Sequence, residues 1–186
     1  MTARLLVLLA IVAGGAWWWT HRGIDNAAVD AFYREQVDAF VQGDPKRLCA
    51  QYADDYRGNE RQVGPLGAQD AIVDKAQSCA GIAALFDFKK KYEAQRGEGV
   101  ILATSLNLEP GDVRVARDGK SADVHLKVHM NFGGALEARS EGTEHLVKRN
   151  GRVLSAGSDM VSHVDGPLAG VPDPAAMAAV LARRSR

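Results

Sequence analysis

The chain is poor in tryptophan and cysteine and carries no excess of either charge, and each shortage closes off a class of function. All three tryptophans stand together as Trp17, Trp18 and Trp19, which leaves the rest of the 186 residues only tyrosine and phenylalanine for ring contacts. A carbohydrate-stacking platform would lack its best side chain. Lys plus Arg and Asp plus Glu both number 23, so no basic surface is available for a nucleic acid. The nearest basic run, Lys89-Lys90-Lys91, reads as a helix carboxyl end, where cations suit the dipole. No glycine-rich loop leads from a strand into a helix, which argues against a phosphate cradle. His125 and His129 lie four residues apart in a strand pattern; at about 3.3 Å per residue that is roughly 13 Å, beyond the reach of one ion. No metal and no cofactor are expected.

One long apolar run is present. Leu5 to Trp19 is uncharged, but at about 1.5 Å of rise per residue it covers roughly 22 Å, short of a hydrocarbon core of roughly 30 Å. The tryptophan triplet suits an interfacial belt, with His21 and Arg22 just beyond it, so residues 5–19 are expected to hold the chain in a membrane. A cleaved secretory signal is the alternative, with Arg4 in the charged region and Gly14-Gly15-Ala16 as the small-residue site. The expected organisation is an anchor or signal over residues 1–22, one domain over 23–165, and a Pro- and Ala-rich tail over 166–186. The domain is placed in the periplasm, either tethered to the inner membrane by a single pass or released after cleavage. Cys49 and Cys79 fit neither a redox pair nor a zinc cluster, and in an exported chain they are expected to form a disulfide.

From Asn26, taken as a cap, Val29, Phe32, Tyr33, Val37, Phe40 and Val41 recur at helical spacing up to Gly43. Asp44-Pro45 opens a second, short helix through Leu48, Cys49 and Tyr52. Gly58 to Gly67 reads as a loop, and Ile72, Ala76, Cys79, Ala83 and Phe86 as a third helix. From Val100 the period becomes two. A turn at Asp118-Gly119 sets Val113 opposite Val124 and Arg114 opposite Asp123. Val124, Leu126, Val128 and Met130 then share a face, Gly133-Gly134 turns the chain, and Asn150-Gly151 is a strong hairpin signal. Helices first and curved antiparallel sheet second make the fold class α+β.

Helix, Gly43-Asp44, a short helix closing in Tyr52-Ala53-Asp54-Asp55-Tyr56, a third helix, then a meander with Asn150-Gly151 resembles the NTF2-like superfamily, in particular its SnoaL-like and ketosteroid-isomerase-like members. The resemblance covers roughly Asn26 to Val164. It implies a cone: three N-terminal helices on a strongly curved antiparallel sheet, with a pocket between. It also implies, for an isomerase, a helix tyrosine as oxyanion donor and two carboxylates. Counted along this chain, the tyrosine position falls on Gln36, the base on Glu60 and the second acid on Glu144. The phenol is missing, so the expectation leans away from an enzyme.

Glu144 is reached a second way. A three-residue turn at Gly133 to Ala135 puts Ser140, Gly142 and Glu144 on the face of Val124 to Met130, and across the last hairpin Asp159 joins them. Apolarity in that hairpin favours the opposite face, since Val147, Leu154, Ala156 and Met160 look more like core than Ser155, Gly157 and Asp159. One residue of slip exchanges the two. The pocket is expected to be walled by Tyr33, Gln36, Phe40, Tyr52, Tyr56, Val128, Met130 and Asp159, with Glu60 and Glu144 as candidate catalytic acids. The expected role is non-catalytic binding of a small apolar ligand or a protein partner. An isomerase or dehydratase with a carboxylate base, and a scaffold subunit forming a homodimer through its sheet, are the alternatives.

Overall fold

A computed structural model describes residues 23–65, 67–96, 103–133 and 136–166. The apolar run at 5–19, its cleavage site, the strand start at Val100 and the tail beyond Gly166 lie outside the described residues. Among the described residues no helix is long and apolar enough to cross a membrane.

The first helix, α1 (Asn26–Val41), is capped by Asp25 rather than Asn26: its carboxylate accepts from the Ala28 N–H at 2.8 Å. Its buried face is Val29, Phe32, Tyr33, Ala39 and Phe40, and Val41 is left exposed. Gly43, at φ 66°, ends it in the left-handed conformation that glycine adopts without steric penalty. Asp44 caps α2 (Pro45–Cys49), accepting from Lys46 and Arg47 N–H at 3.1 Å each.

Here the expected order fails. Tyr52 does not continue α2, and Gly58 to Gly67 is not a loop. They form β1 (Tyr52–Gly64), which turns straight back as β2 (Gly67–Asp74). Two helices therefore precede the sheet, and the third, α3 (Lys75–Arg96), follows β2. Ile72, expected in that helix, is an exposed strand residue. The helix begins instead at a reciprocal cap, the Gln77 side chain accepting from Asp74 N–H and the Asp74 carboxylate from Gln77 N–H, both at 2.9 Å. Strand formation over Arg57 to Gln62, a stretch without β-branched residues, comes from pairing on both sides, which overrides local preference.

The remaining strands are β3 (Thr104–Val115), β4 (Ser121–Phe132), β5 (Leu136–Arg149) and β6 (Arg152–Asp165). They are consecutive antiparallel neighbours, and β1 lies parallel to β6, giving one six-stranded sheet in the order β2-β1-β6-β5-β4-β3. Val113 does face Val124, and Arg114 faces Asp123. Bulges interrupt β1, β3 and β6, the device that bends a sheet.

The helices cover one face of this sheet. Near its β4–β5 turn, Phe40, Leu48, Phe86, Phe88 and Phe132 form one apolar cluster. Towards the opposite end, Val29, Phe32 and Tyr33 of α1 pack on Val124, Leu126 and Leu146 in a second. Cys49 and Cys79 are bonded, with Cα atoms 5.3 Å apart, and so tie α2 to α3. Opening that loop, with its sequence separation of 30, should lower stability by about 3–4 kcal/mol on a chain-entropy basis. Denaturant unfolding of the Cys49→Ser/Cys79→Ser variant tests this, and a midpoint equal to that of the oxidised parent would contradict it.

Candidate functional site

Register sets what points into the concave face. Val124 is opposite Glu144, Leu126 opposite Gly142 and Val128 opposite Ser140, so Val128 and Met130 share their face with Glu144 as expected. The last hairpin then departs from simple alternation. Leu146 pairs with Ser155 but His145 pairs with Gly157, so Ala156 is an extra residue in β6. This bulge puts both Ser155 and Ser158 on the inner face, and Met160 after them, opposite Gly142. Asp159, expected in the pocket, is therefore on the outer face, opposite Thr143. Across β6 the parallel register aligns Gly58 with Ser158 and Glu60 with Met160. Glu60 and Glu144 thus share one face two strands and two residues apart, about 12 Å at the usual strand spacing and rise.

Glu144 is buried, and the Tyr33 hydroxyl donates to its Oε2 at 2.8 Å. Burial pushes this carboxyl above the usual carboxylate range; Ser155, which approaches without completing a hydrogen bond, then Tyr33 and the His145 charge pull it only part of the way back. Burial likewise drives the Tyr33 phenol far above its ordinary range, with the Glu144 charge adding to it. The pair is consequently a phenol and a carboxyl that both favour holding their protons. Gln36, one turn along α1, places its buried Oε1 without a hydrogen-bond partner among the described residues. Tyr33 stands three residues before Gln36, on the same helical face.

Tyr52 and Tyr56 extend the cluster, their rings edge to face at 4.6 Å. Tyr56 Oη lies 2.9 Å from Ser158 Oγ. A Cβ at Gly58 would stand 2.7 Å from that phenol oxygen, so a larger residue there would displace the Tyr56 hydroxyl. Burial raises both phenols, and the charges of Glu144 and Glu60 add to the effect. Glu60 keeps accessible surface at the rim, yet enough protein surrounds its carboxyl for burial to raise it. Glu60 and Met160 line an open groove of about 500 Å³ at the β1–β2 side. Tyr33 lines another of about 360 Å³ between α1 and β3. Phe40 is not part of this cluster; it packs edge-on to Phe86 at 5.5 Å.

The outer face is separate and charged. His145 places Nδ1 at 2.7 Å from Asp123 and Nε2 at 3.1 Å from Asp159, which also accepts from Asn59 at 2.6 Å. His125 and His129 each meet a glutamate of β5, Glu141 and Glu137, at 3.1 Å.

No family model matches the chain, and no curated protein matches it. Solved structures do. A ketosteroid isomerase-like protein from Erwinia carotovora atroseptica shares 17% identity, with 73% of this chain and 94% of that one covered and a TM-score of 0.46. An NTF-2 like protein of unknown function from Shewanella oneidensis shares 12% identity, over 74% and 99% of the two chains, at a TM-score of 0.48. An NTF2-like protein of unknown function from Pseudomonas putida shares 14%, over 75% and 89%, also at 0.48.

The His145 clamp has a defined pH signature. The bond to Asp123, then that to Asp159, raises His145 above its ordinary 6.5. Its stabilisation is therefore complete below about pH 6.5 and lost as pH rises through the folded-state value. Asp159, lowered by Asn59 and then His145, contributes stability that is lost as pH falls through its folded-state value. Urea midpoints should fall on the alkaline side in the parent, and Asp123→Asn should flatten that limb. An unchanged limb in Asp123→Asn would contradict the assignment.

Proposed function

We propose that the domain binds a small, largely apolar molecule bearing one hydrogen-bonding oxygen, held on the concave face against Tyr33 and Glu144. The observation that carries this reading is the buried Tyr33–Glu144 bond, set in the apolar cluster that Tyr33 shares with Val124 and Leu146. A carboxyl that burial biases towards its protonated form can donate to a ligand oxygen, while the Tyr33 hydroxyl stays committed to Glu144. Met130, Val128 and Met160 are half-buried beside them and offer apolar contact. The proposal includes export, with the chain held at the inner membrane by residues 5–19 and the domain in the periplasm. The Cys49–Cys79 bond supports that part, because persistent disulfides belong to oxidising compartments.

A second reading is catalytic. It is favoured by Glu60, whose raised carboxyl shares the face of Glu144 and would act as a base towards a substrate polarised by Glu144, itself oriented by Tyr33. The reaction class would be an isomerisation or dehydration next to a carbonyl.

Titration of the full-length protein with the neutral, carbonyl-bearing fluorophore 6-propionyl-2-dimethylaminonaphthalene tests the first reading. One saturable site is expected, weakened about tenfold or more by Met160→Trp, which fills the face, and left roughly unchanged by Glu144→Gln. Binding indifferent to Met160→Trp would remove the site from the concave face. Turnover of a β,γ-unsaturated ketone that disappears in Glu60→Gln would select the second reading. Tyr33→Phe should cost about 1–3 kcal/mol of stability by leaving Glu144 without its donor, measured by chemical unfolding.

A further inference from the structure

A second site lies on the other side of α1. The first turns of α1 and the β5–β6 hairpin enclose a groove of about 410 Å³, and Gln51 lies in its lining. That volume is within the roughly 300–1,000 Å³ usual for small-molecule sites. Gln51 is only 4% exposed, and both its side-chain oxygen and nitrogen are buried with no hydrogen-bond partner among the described residues. Buried carboxamides are almost always satisfied. One left with an unused donor and acceptor directly behind the wall of a groove is suited, once its side chain turns outward, to a ligand group that offers the reverse pair. An amide does so.

The charges around the groove are unequal in their availability. Asp25 is committed to the α1 cap, and Glu35 to Arg47 at 2.7 Å. On the hairpin, Arg149 is held by Asp55 at 2.7 Å, whereas its cross-strand partner Arg152 makes no ion pair among the described residues and lines the groove. The amino-terminal turn of the 16-residue α1 adds positive potential on the same side. Ala28, Ala31, Phe32 and Val153 supply an apolar wall with little depth, suited to short aliphatic groups. We propose that this groove binds an acyl-amino-acid unit, an amide followed by a free carboxylate. Its amide pairs with the Gln51 carboxamide, its carboxylate pairs with Arg152, and its side chain rests on Ala28 and Ala31. Two sources share that chemistry, a free acyl-amino acid and the carboxyl terminus of a peptide.

Calorimetric titration of the full-length protein with N-acetyl-alanine, N-acetyl-trialanine and the trialanine carboxamide tests this. The two acids should bind saturably, and the carboxamide about tenfold more weakly. Arg152→Ala should weaken the acids by a similar factor and leave the carboxamide unaffected. Gln51→Leu should abolish binding of all three while leaving the melting temperature equal to or above the parent's, an outcome that a purely structural glutamine would not give. Equal affinity for the two acids assigns the site to a free acyl-amino acid, and affinity rising with length assigns it to a peptide end. Absence of saturable binding by either acid overturns the proposal. Binding that ignores both the carboxylate and Arg152 overturns it equally.

Discussion

A single extra residue in β6, Ala156, decides which side chains this domain turns inward. Alternation along a strand has a period of two, so inserting one residue exchanges the faces of everything beyond it. Below the bulge the hairpin presents Ser155 and Leu146 to the interior; above it, Ser158 and Met160 follow Glu144 inward, and Asp159 joins His145 outside. Gly142 lies next to this arrangement on β5. A Cβ there would run into the Asp159 carbonyl, so the close approach of the two strands depends on glycine.

The concave face consequently joins two kinds of chemistry that the outer face keeps apart. Inside, the Glu144 carboxyl is packed with the Tyr33 and Tyr56 phenols, and removal from water favours their protonated forms. Outside, carboxylates pair with histidine and arginine. Exposed pairs of the second kind contribute little each. The first kind is costly unless every group finds a partner, which is why the Tyr33–Glu144 bond and the Tyr56–Ser158 contact matter to the fold as well as to the site.

Much of the sheet was legible because local signals and pairing agree there. The β3–β4 hairpin matches charge with charge and apolar with apolar, and its register is as expected. The face shared by Val124 and Glu144 follows from the turn near Gly133. The β1–β2 hairpin was not legible: Arg57 to Gln62 carry charge and amide groups where apolar alternation would announce a strand, and their partners are far away in sequence. The two conflicting apolar patterns in the last hairpin each described part of the strand, since Met160 and Glu144 do share a face while Asp159 does not. The conflict was itself the mark of a bulge. The Tyr33–Glu144 bond joins residues 111 positions apart, a separation that no local pattern announces.

The parallel contact between β1 and β6 places the first strand of the sheet beside the last. During synthesis, β1 can meet only β2 on one edge until the end of the domain has emerged, and its other edge waits unpaired. Topologies built on such distant contacts form late and slowly, because loop closure precedes any gain from pairing. The hairpin of β1 and β2, crowded with arginine, glutamate and aspartate where a hydrophobic strand would be sticky, is thus suited to a long interval as a bare edge without recruiting a neighbouring chain.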